Sequence, residues 1–341
     1  MKKILLIRLS AIGDIVFATT MLKPLKESGK VKIYWLVNSP LSSILYGNVY
    51  IDEIISLPVD RWKWLFKKLK FVTLIIEILQ FVRKLNKYQF DISIDLHGIL
   101  KGSIWAFLSG SKEKIGLGKK EFNWIFLDKV YPRGGDVSFF ASEYLYLAEL
   151  LGCEITDKKP FLSVPQETKN NVKQNLLSNV KDKFFVIAPF TTRPQKHWIE
   201  IYWQELLKRI LSDYPDNDII ILGGKNDYDA AERLVVHENV KNFSGKTKLA
   251  EAMAIIYLSV GIIGVDTGLT HMGTAFEKNT IAIFGSTVPY LTTANPKTKV
   301  LYAGLPCSPC KRNPTCNNRF DCMHAITPEM VYKEFTKLVD L

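Results

Sequence analysis

The chain has 341 residues, 47% of them hydrophobic and 23% charged, which is too long for one small domain and too apolar for a disordered or collagen-like polypeptide. Mean hydropathy is near zero, and the formal net charge is +11, with 24 basic and 16 acidic residues in positions 1–165. A field of that sign favours an anionic partner, whether nucleic acid, an anionic lipid surface or a phosphorylated substrate.

The opening segment MKKILLIRLSAIGD has an apolar run interrupted by Arg8 and no small-residue cleavage site after it. It reads as a first strand rather than a signal peptide, and the protein as cytosolic. Residues 3–9 make that strand, Ser10 to Gly13 a tight turn and Asp14 to Glu27 a helix. Apolar strand segments recur at 32–37, 91–96, 184–188, 218–222, 260–265 and 280–284. Amphipathic stretches such as 199–212 and 248–258 lie between them, the alternation expected of parallel sheets. The segment KPFLSVPQE at 159–167 interrupts the series, which predicts an N-terminal domain over 1–165 and a C-terminal domain over 166–341. Two open α/β domains bind ligands outside the carboxyl ends of their strands, so function is expected in the loops that follow strands.

Residues 61–88 combine a basic, aromatic opening with an apolar run from 71 to 82 that contains Glu77 and Gln80. That run is too short to span a bilayer. Two readings stand: a buried amphipathic helix with a solvated basic flank, or an interfacial segment that brings Trp62, Trp64, Phe66, Lys67, Lys68 and Lys70 to anionic lipid.

Several signatures are absent. No GxGxxG follows the first strand, Ser244-Gly245-Lys246-Thr247 lacks the earlier glycine of a P-loop, His237-Glu238 lacks a second histidine, and there is no GxSxG. The loop Ser10-Ala11-Ile12-Gly13-Asp14 opens a helix after a strand. Gly13 is expected to supply an unusual backbone conformation, while Asp14 is either a helix cap or a general base at the mouth of a cleft. Thr191 to Trp198, TTRPQKHW, offers two hydroxyls and Lys196 between a strand and a helix. Gly264 to His271, GVDTGLTH, is again strand, Gly turn and helix, with Thr267, Gly268 and Leu269 able to present backbone N–H groups. Two such loops at equivalent strand ends point to a diphosphate ligand.

SAIGD at 10–14, DLHGILKG at 95–102, TTRPQKHW at 191–198 and GVDTGLTHMGTA at 264–275 together resemble glycosyltransferase family nine, the ADP-heptose:lipopolysaccharide heptosyltransferases, over nearly the whole chain. The resemblance is strongest to the enzyme type that adds the first heptose to Kdo, and it implies a GT-B fold, two Rossmann-like parallel-sheet domains facing a central cleft. The last helix is allowed to pack back on the N-terminal domain. The resemblance further implies an inverting transferase with no required metal, an acceptor-binding N-terminal domain and a donor-binding C-terminal domain. Asp14 matches the catalytic base. Thr191, Thr192, Lys196, Asp266, Thr267, Gly268, Leu269 and His271 match the ADP-heptose site, and Ser10, Gly13, Arg61, Lys63 and Lys101 lie where the acidic groups of a Kdo-lipid A acceptor are expected. Where relatives carry a histidine before the helix ending at Gly152, this chain reads Phe139-Phe140-Ala141-Ser142-Glu143. The implied place of work is the cytoplasmic face of the inner membrane, with the protein peripheral to its anionic surface and no nucleic acid involved.

Cys307, Cys310, Cys316 and Cys322 crowd into a Pro- and Asn-rich stretch with one CxxC spacing. A structural zinc, reduced thiols or local disulfides each fit that spacing. A later-acting heptosyltransferase, a related nucleotide-sugar transferase, and a basic membrane- or nucleic-acid-binding protein without chemistry are the rival functions.

Overall fold

The computed structural model describes residues 1–311 and 313–339. The chain divides into two units, Met1–Asp136 with Ala141–Phe161, and Val137–Phe140 with the chain from Leu162 onward. The single break expected near residue 165 thus comes a few residues early, and four residues are lent to the second unit before the first is complete.

The first unit runs β1 (Lys2–Ile7), α1 (Ile12–Ala18), α2 (Leu22–Glu27), β2 (Val31–Asn38), β3 (Glu53–Leu57), α3 (Val59–Lys67), α4 (Phe71–Asn86), β4 (Ile92–Asp95), α5 (Leu100–Leu108), β5 (Glu113–Leu117), β6 (Lys129–Tyr131) and α6 (Ser142–Leu150). The helix expected from 14 to 27 is broken. The Thr19 and Thr20 hydroxyls donate to the carbonyls of Val16 and Phe17 at 2.7 and 2.8 Å, which competes with helical bonding and turns the chain between α1 and α2.

The second unit runs α7 (Gln166–Asn175), β7 (Phe184–Ala188), α8 (Glu200–Asp213), β8 (Asp218–Ile221), α9 (Tyr228–Glu232), β9 (Val240–Asn242), α10 (Leu249–Leu258), β10 (Gly261–Val265), α11 (Gly268–Ala275), β11 (Asn279–Phe284), β12 (Thr298–Tyr302), α12 (Asp321–His324) and α13 (Pro328–Val339). The last helix, α13, packs against α8 and β11 of its own unit.

Both units carry a parallel six-stranded sheet among the described residues, in the orders β3-β2-β1-β4-β5-β6 and β12-β11-β10-β7-β8-β9. Numbered from its own first strand, each is the doubly wound order 3-2-1-4-5-6, although no repeat is visible in the sequence. Central strands such as β7, β8 and β10 are buried along their whole length, which is why FFVIA, DIII and GIIGV read as unbroken apolar runs rather than alternating ones.

The order reverses between β1 and β4 in one sheet and between β7 and β10 in the other. At such a point the loops leave adjacent strands toward opposite faces and open a crevice at the carboxyl ends. The Ser10–Asp14 and Asp95–Gly98 loops leave β1 and β4; the Thr191–Lys196 and Asp266–Thr267 loops leave β7 and β10.

Candidate active site

In the first unit Asp14 stands in the first turn of α1, the helix that follows β1. Its Oδ2 accepts the Ala11 N–H at 3.3 Å and is paired with the Arg8 guanidinium. Arg8 is buried and donates from Nη1 to the Leu96 carbonyl at 2.7 Å. Both contacts fall on Oδ2, and the side chain keeps 42% of its exposure, so Oδ1 is the oxygen left to meet a substrate proton. Asp14 therefore makes the cap contact and also has the geometry of a base. Gly13 departs from expectation: α1 begins already at Ile12, which makes Gly13 helical, and it is not among the positive-φ glycines.

Lys101, at the start of α5, donates to the Ser10 hydroxyl at 3.3 Å. Burial lowers its pKa, and the charges of Arg8 and Lys63 push the same way. Three cations thus crowd beside the Asp14 loop, an arrangement that an incoming anion relieves. Arg61 is not part of that group. Its Nε and Nη2 both donate to Glu77 Oε1, at 3.2 and 3.0 Å, which clasps α3 to α4.

Beneath these loops lie two buried groups that sequence reasoning passed over although DLHG was noted. The Asp95 carboxyl is pushed up to about 7 by burial, against the lowering pull of the His97 and Gly98 amides and of Arg8 and Arg133. Burial, joined by the charges of Arg8, Lys101 and Arg133, pushes His97 down to about 2. His97 is therefore neutral and accepts the Leu9 N–H on Nε2 at 2.8 Å, tying the end of β1 to the end of β4. An open pocket of about 470 Å³ lined by Gly118, Lys119, Lys120, Val130, Tyr131, Pro132 and Arg133 lies past the ends of β5 and β6; its three cations suit an anionic ligand.

In the second unit the DTGLTH loop is built by close packing. A Cβ on Gly264 would collide with the Thr270 hydroxyl, which donates to the Val265 carbonyl at 2.7 Å and draws α11 against the end of β10. Asp266, at that junction, collects three partners. Oδ2 lies 2.7 Å from Lys196 Nζ and accepts the Thr287 hydroxyl at 2.5 Å, while Oδ1 accepts His271 Nε2–H at 3.1 Å. Burial alone would raise this carboxyl, but the His271 hydrogen bond and the charges of His271 and Lys196 hold it well below the usual carboxylate range.

His271 Nδ1 is 2.9 Å from the Tyr290 hydroxyl. Burial and the Asp266 charge push that phenol far up. Phe140, in the place where relatives were expected to carry histidine, packs edge-on against Tyr290 with ring centres 4.8 Å apart and lies 6.3 Å from His271. It belongs to the His271–Tyr290 cluster of the second unit.

Thr267 precedes α11 in an extended conformation and makes no side-chain cap bond. The first intrahelical bond is His271 N–H to the Thr267 carbonyl, which leaves the amides of Gly268, Leu269 and Thr270 outside the helix's own bonding. The Thr191–Lys196 loop is fixed by His197, whose Nε2 lies 2.7 Å from the Thr191 carbonyl, and by Gln195, which donates to the Lys311 carbonyl at 3.2 Å. Lys196 reaches this junction from the loop after β7, and Thr192 in the same loop is exposed.

The sequence reading missed Arg8, Thr287 and Tyr290. Arg8 had a signal, a charge that interrupts an apolar run. Thr287 and Tyr290 follow β11 in a segment with no motif.

The four clustered cysteines are free thiols, Cys307 exposed and Cys322 buried. Among the described residues no group of three or more His, Cys, Asp or Glu side chains is placed to hold a metal ion. Cys322 sits in the core of the second unit beside Met323, and burial, joined by the neighbouring Cys307, Cys310 and Cys316, raises its thiol.

The sequence model of "Glycosyltransferase family 9 (heptosyltransferase)" matches residues 78–320. The chain belongs to that family. Lipopolysaccharide heptosyltransferase 1 of Campylobacter coli is 24% identical over 303 residues, covering 84% of this chain and 85% of that one. The solved E. coli ADP-heptose lps heptosyltransferase II superposes with a TM-score of 0.76 at 19% identity, covering 99% and 98% of the two chains. E. coli heptosyltransferase WaaC with ADP-2-deoxy-2-fluoro heptose gives 0.74 at 20% identity and 98% and 99% coverage. The protein is a glycosyltransferase of the heptosyltransferase type in lipopolysaccharide core biosynthesis, and the two-sheet α/β fold is that of the family.

Proposed function

We propose that this enzyme moves L-glycero-D-manno-heptose from ADP-heptose to a Kdo hydroxyl of the lipid A inner core, with inversion at the anomeric carbon. The observation that carries the donor half is Lys196 held 2.7 Å from a buried, ionised Asp266 beside the uncapped start of α11. An ammonium has three protons; one serves Asp266 and two remain for diphosphate oxygens. The amides of Gly268 and Leu269, with the Thr191 and Thr192 hydroxyls, complete a cradle for the charge that grows on the leaving ADP. WaaC was solved with an ADP-heptose analogue, which agrees with this donor.

On the acceptor side Asp14 Oδ1 takes the hydroxyl proton as the oxygen attacks the anomeric carbon. Lys63, Lys101 and Ser10 orient the Kdo carboxylate, and the Gly13 backbone lines the same loop. Inversion follows from a single displacement with base and leaving group on opposite faces of the sugar. The proposed place of work is the cytoplasmic face of the inner membrane.

The enzyme incubated with ADP-heptose and Kdo-lipid A should release ADP and yield a product heavier by one heptose in the mass spectrum. Release of ADP only with an acceptor that already carries a heptose would make it a type II enzyme, a reading that the likeness to heptosyltransferase II keeps in play. No ADP from either acceptor would refute the proposal.

A further inference from the structure

We propose that the α3–α4 hairpin of the first unit is a lipid-docking wedge whose α4 stripe and connecting turn enter an anionic phospholipid surface. The inference deepens the membrane part of the reading above and rests on it only for the identity of the lipid-borne acceptor.

Within α4 only Leu85 is buried. Phe71, Val72, Ile75, Ile76 and Leu79 are exposed, Val72 at 73%. At about 100° per residue these five fall within one arc of about 140°, a stripe about 12 Å long. The opposite face, carrying Phe81 and Leu85, packs on the unit's core. Phe81 and Trp62 meet Trp105 of α5 in an aromatic cluster with ring centres 5.6 to 5.9 Å apart, so the hairpin is anchored and presents its apolar stripe from a firm base. A helix needs one apolar face to fold; the second faces water without a folding reason.

The turn between the helices repeats the pattern. Leu69 is 74% exposed in a left-handed conformation, φ 55°, where folding alone favours glycine or asparagine. Phe66 and Phe71 meet edge-on across it at 5.6 Å, and Lys70 Nζ lies 5.3 Å from the Trp64 ring centre. Aromatic rings, a leucine tip and lysines together are the composition of a segment seated at the headgroup level.

Charge chooses the occupant. Residues 61–88 hold eight basic residues and one acidic residue, Glu77, and Glu77 is engaged by Arg61. A second copy of the chain would bring two such faces together and repel, whereas an anionic lipid surface attracts Lys63, Lys67, Lys68 and Lys70 while taking up the apolar stripe. No helix among the described residues is long and apolar enough to cross a membrane. The hairpin thus lies on the surface.

The test is co-sedimentation of the full chain with phosphatidylcholine vesicles, with and without phosphatidylglycerol, at low and physiological salt. The parent should bind the anionic vesicles and keep part of that binding at physiological salt. Val72→Ser/Ile75→Ser/Leu79→Ser should lower the partition at least about tenfold, with the salt-resistant part lost first. Leu69→Asn should also weaken binding while raising the melting temperature, because asparagine suits the left-handed turn. Equal partition by parent and triple variant would overturn the inference. So would a lipid-free parent that dimerises while the variant stays monomeric, since the stripe would then cover itself. Heptose transfer to a delipidated acceptor separates the two readings: with transfer intact and vesicle binding indifferent to the stripe, the docking inference alone falls. With no transfer yet stripe-dependent binding, the functional reading falls and the wedge stands.

Discussion

Lys196 and Asp266 are joined at 2.7 Å across the ends of two adjacent strands, β7 and β10. The pair fixes the ammonium where the donor's phosphates are expected, so that little reorganisation is left for the moment of bond breaking. Lys196→Ala should lower kcat about 10²- to 10³-fold, the usual effect of removing one preorganised charge stabiliser, and weaken ADP binding in isothermal titration. Unchanged affinity together with unchanged turnover would remove Lys196 from the site.

Asp14→Asn keeps the shape of the side chain and its contact with the Ala11 amide but cannot take a proton. Turnover on the Kdo acceptor should fall about 10²- to 10⁴-fold, with ADP affinity near the parent's. A variant with near-parent kcat would leave Asp14 as a cap alone.

Arg8 acts through Asp14. Arg8→Met should lower kcat, and adding it to Asp14→Asn should cost little more than Asp14→Asn alone, because the guanidinium has nothing left to position. Additive losses in this double-mutant cycle would show that Arg8 meets the substrate independently.

Asp95 makes stability depend on pH in an unusual direction. Its folded pKa of about 7 exceeds the value of about 3.9 in an unfolded chain, so between those values the folded state holds the extra proton. Stability from this group is full below about pH 4 and is lost as pH rises through about 7. Asp95→Asn should remove the loss, so its gain over the parent should grow between about pH 5 and pH 8, reaching on the order of a few kcal/mol. Denaturant melts at the two pH values measure it; a constant difference would mean the carboxyl titrates normally.

Gly264→Ala forces a methyl group against the Thr270 hydroxyl. The cost should be about 1–3 kcal/mol in a denaturant melt, accompanied by weaker ADP binding because α11 is displaced from β10. Full stability with parent-like ADP affinity would show that the junction yields freely.

The central strands and the loops after β7 and β10 were legible because buried parallel strands are continuous apolar runs and because a Gly or Thr turn into a helix is a recognisable signal. The strands not foreseen, β3, β5, β6, β9 and β12, are short or partly polar, and all but β5 are sheet edges, where one side needs no apolar residue. Asp95 and His97 stayed hidden since a buried carboxyl and a neutral histidine differ from exposed ones only in their surroundings. The contact of Arg61 with Glu77, sixteen residues along, was not legible because it depends on how α3 packs on α4. The helical period in α4 was plain; which of its faces lacked a partner was not, because periodicity locates a stripe without saying what covers it.

The loan of Val137–Phe140 to the second unit changes what counts as half of this enzyme. Phe140 is buried against Tyr290, and its N–H is bonded to the Thr292 carbonyl at 2.9 Å, although more than twenty residues of the first unit separate it from Leu162. A gene fragment beginning at residue 162 would therefore encode a second unit with a phenyl-sized hole beside His271. Grafting the C-terminal half of a relative onto this N-terminal half at a single junction would pair that relative's second unit with a foreign side chain. A functional chimera needs the tetrapeptide exchanged together with the half it completes.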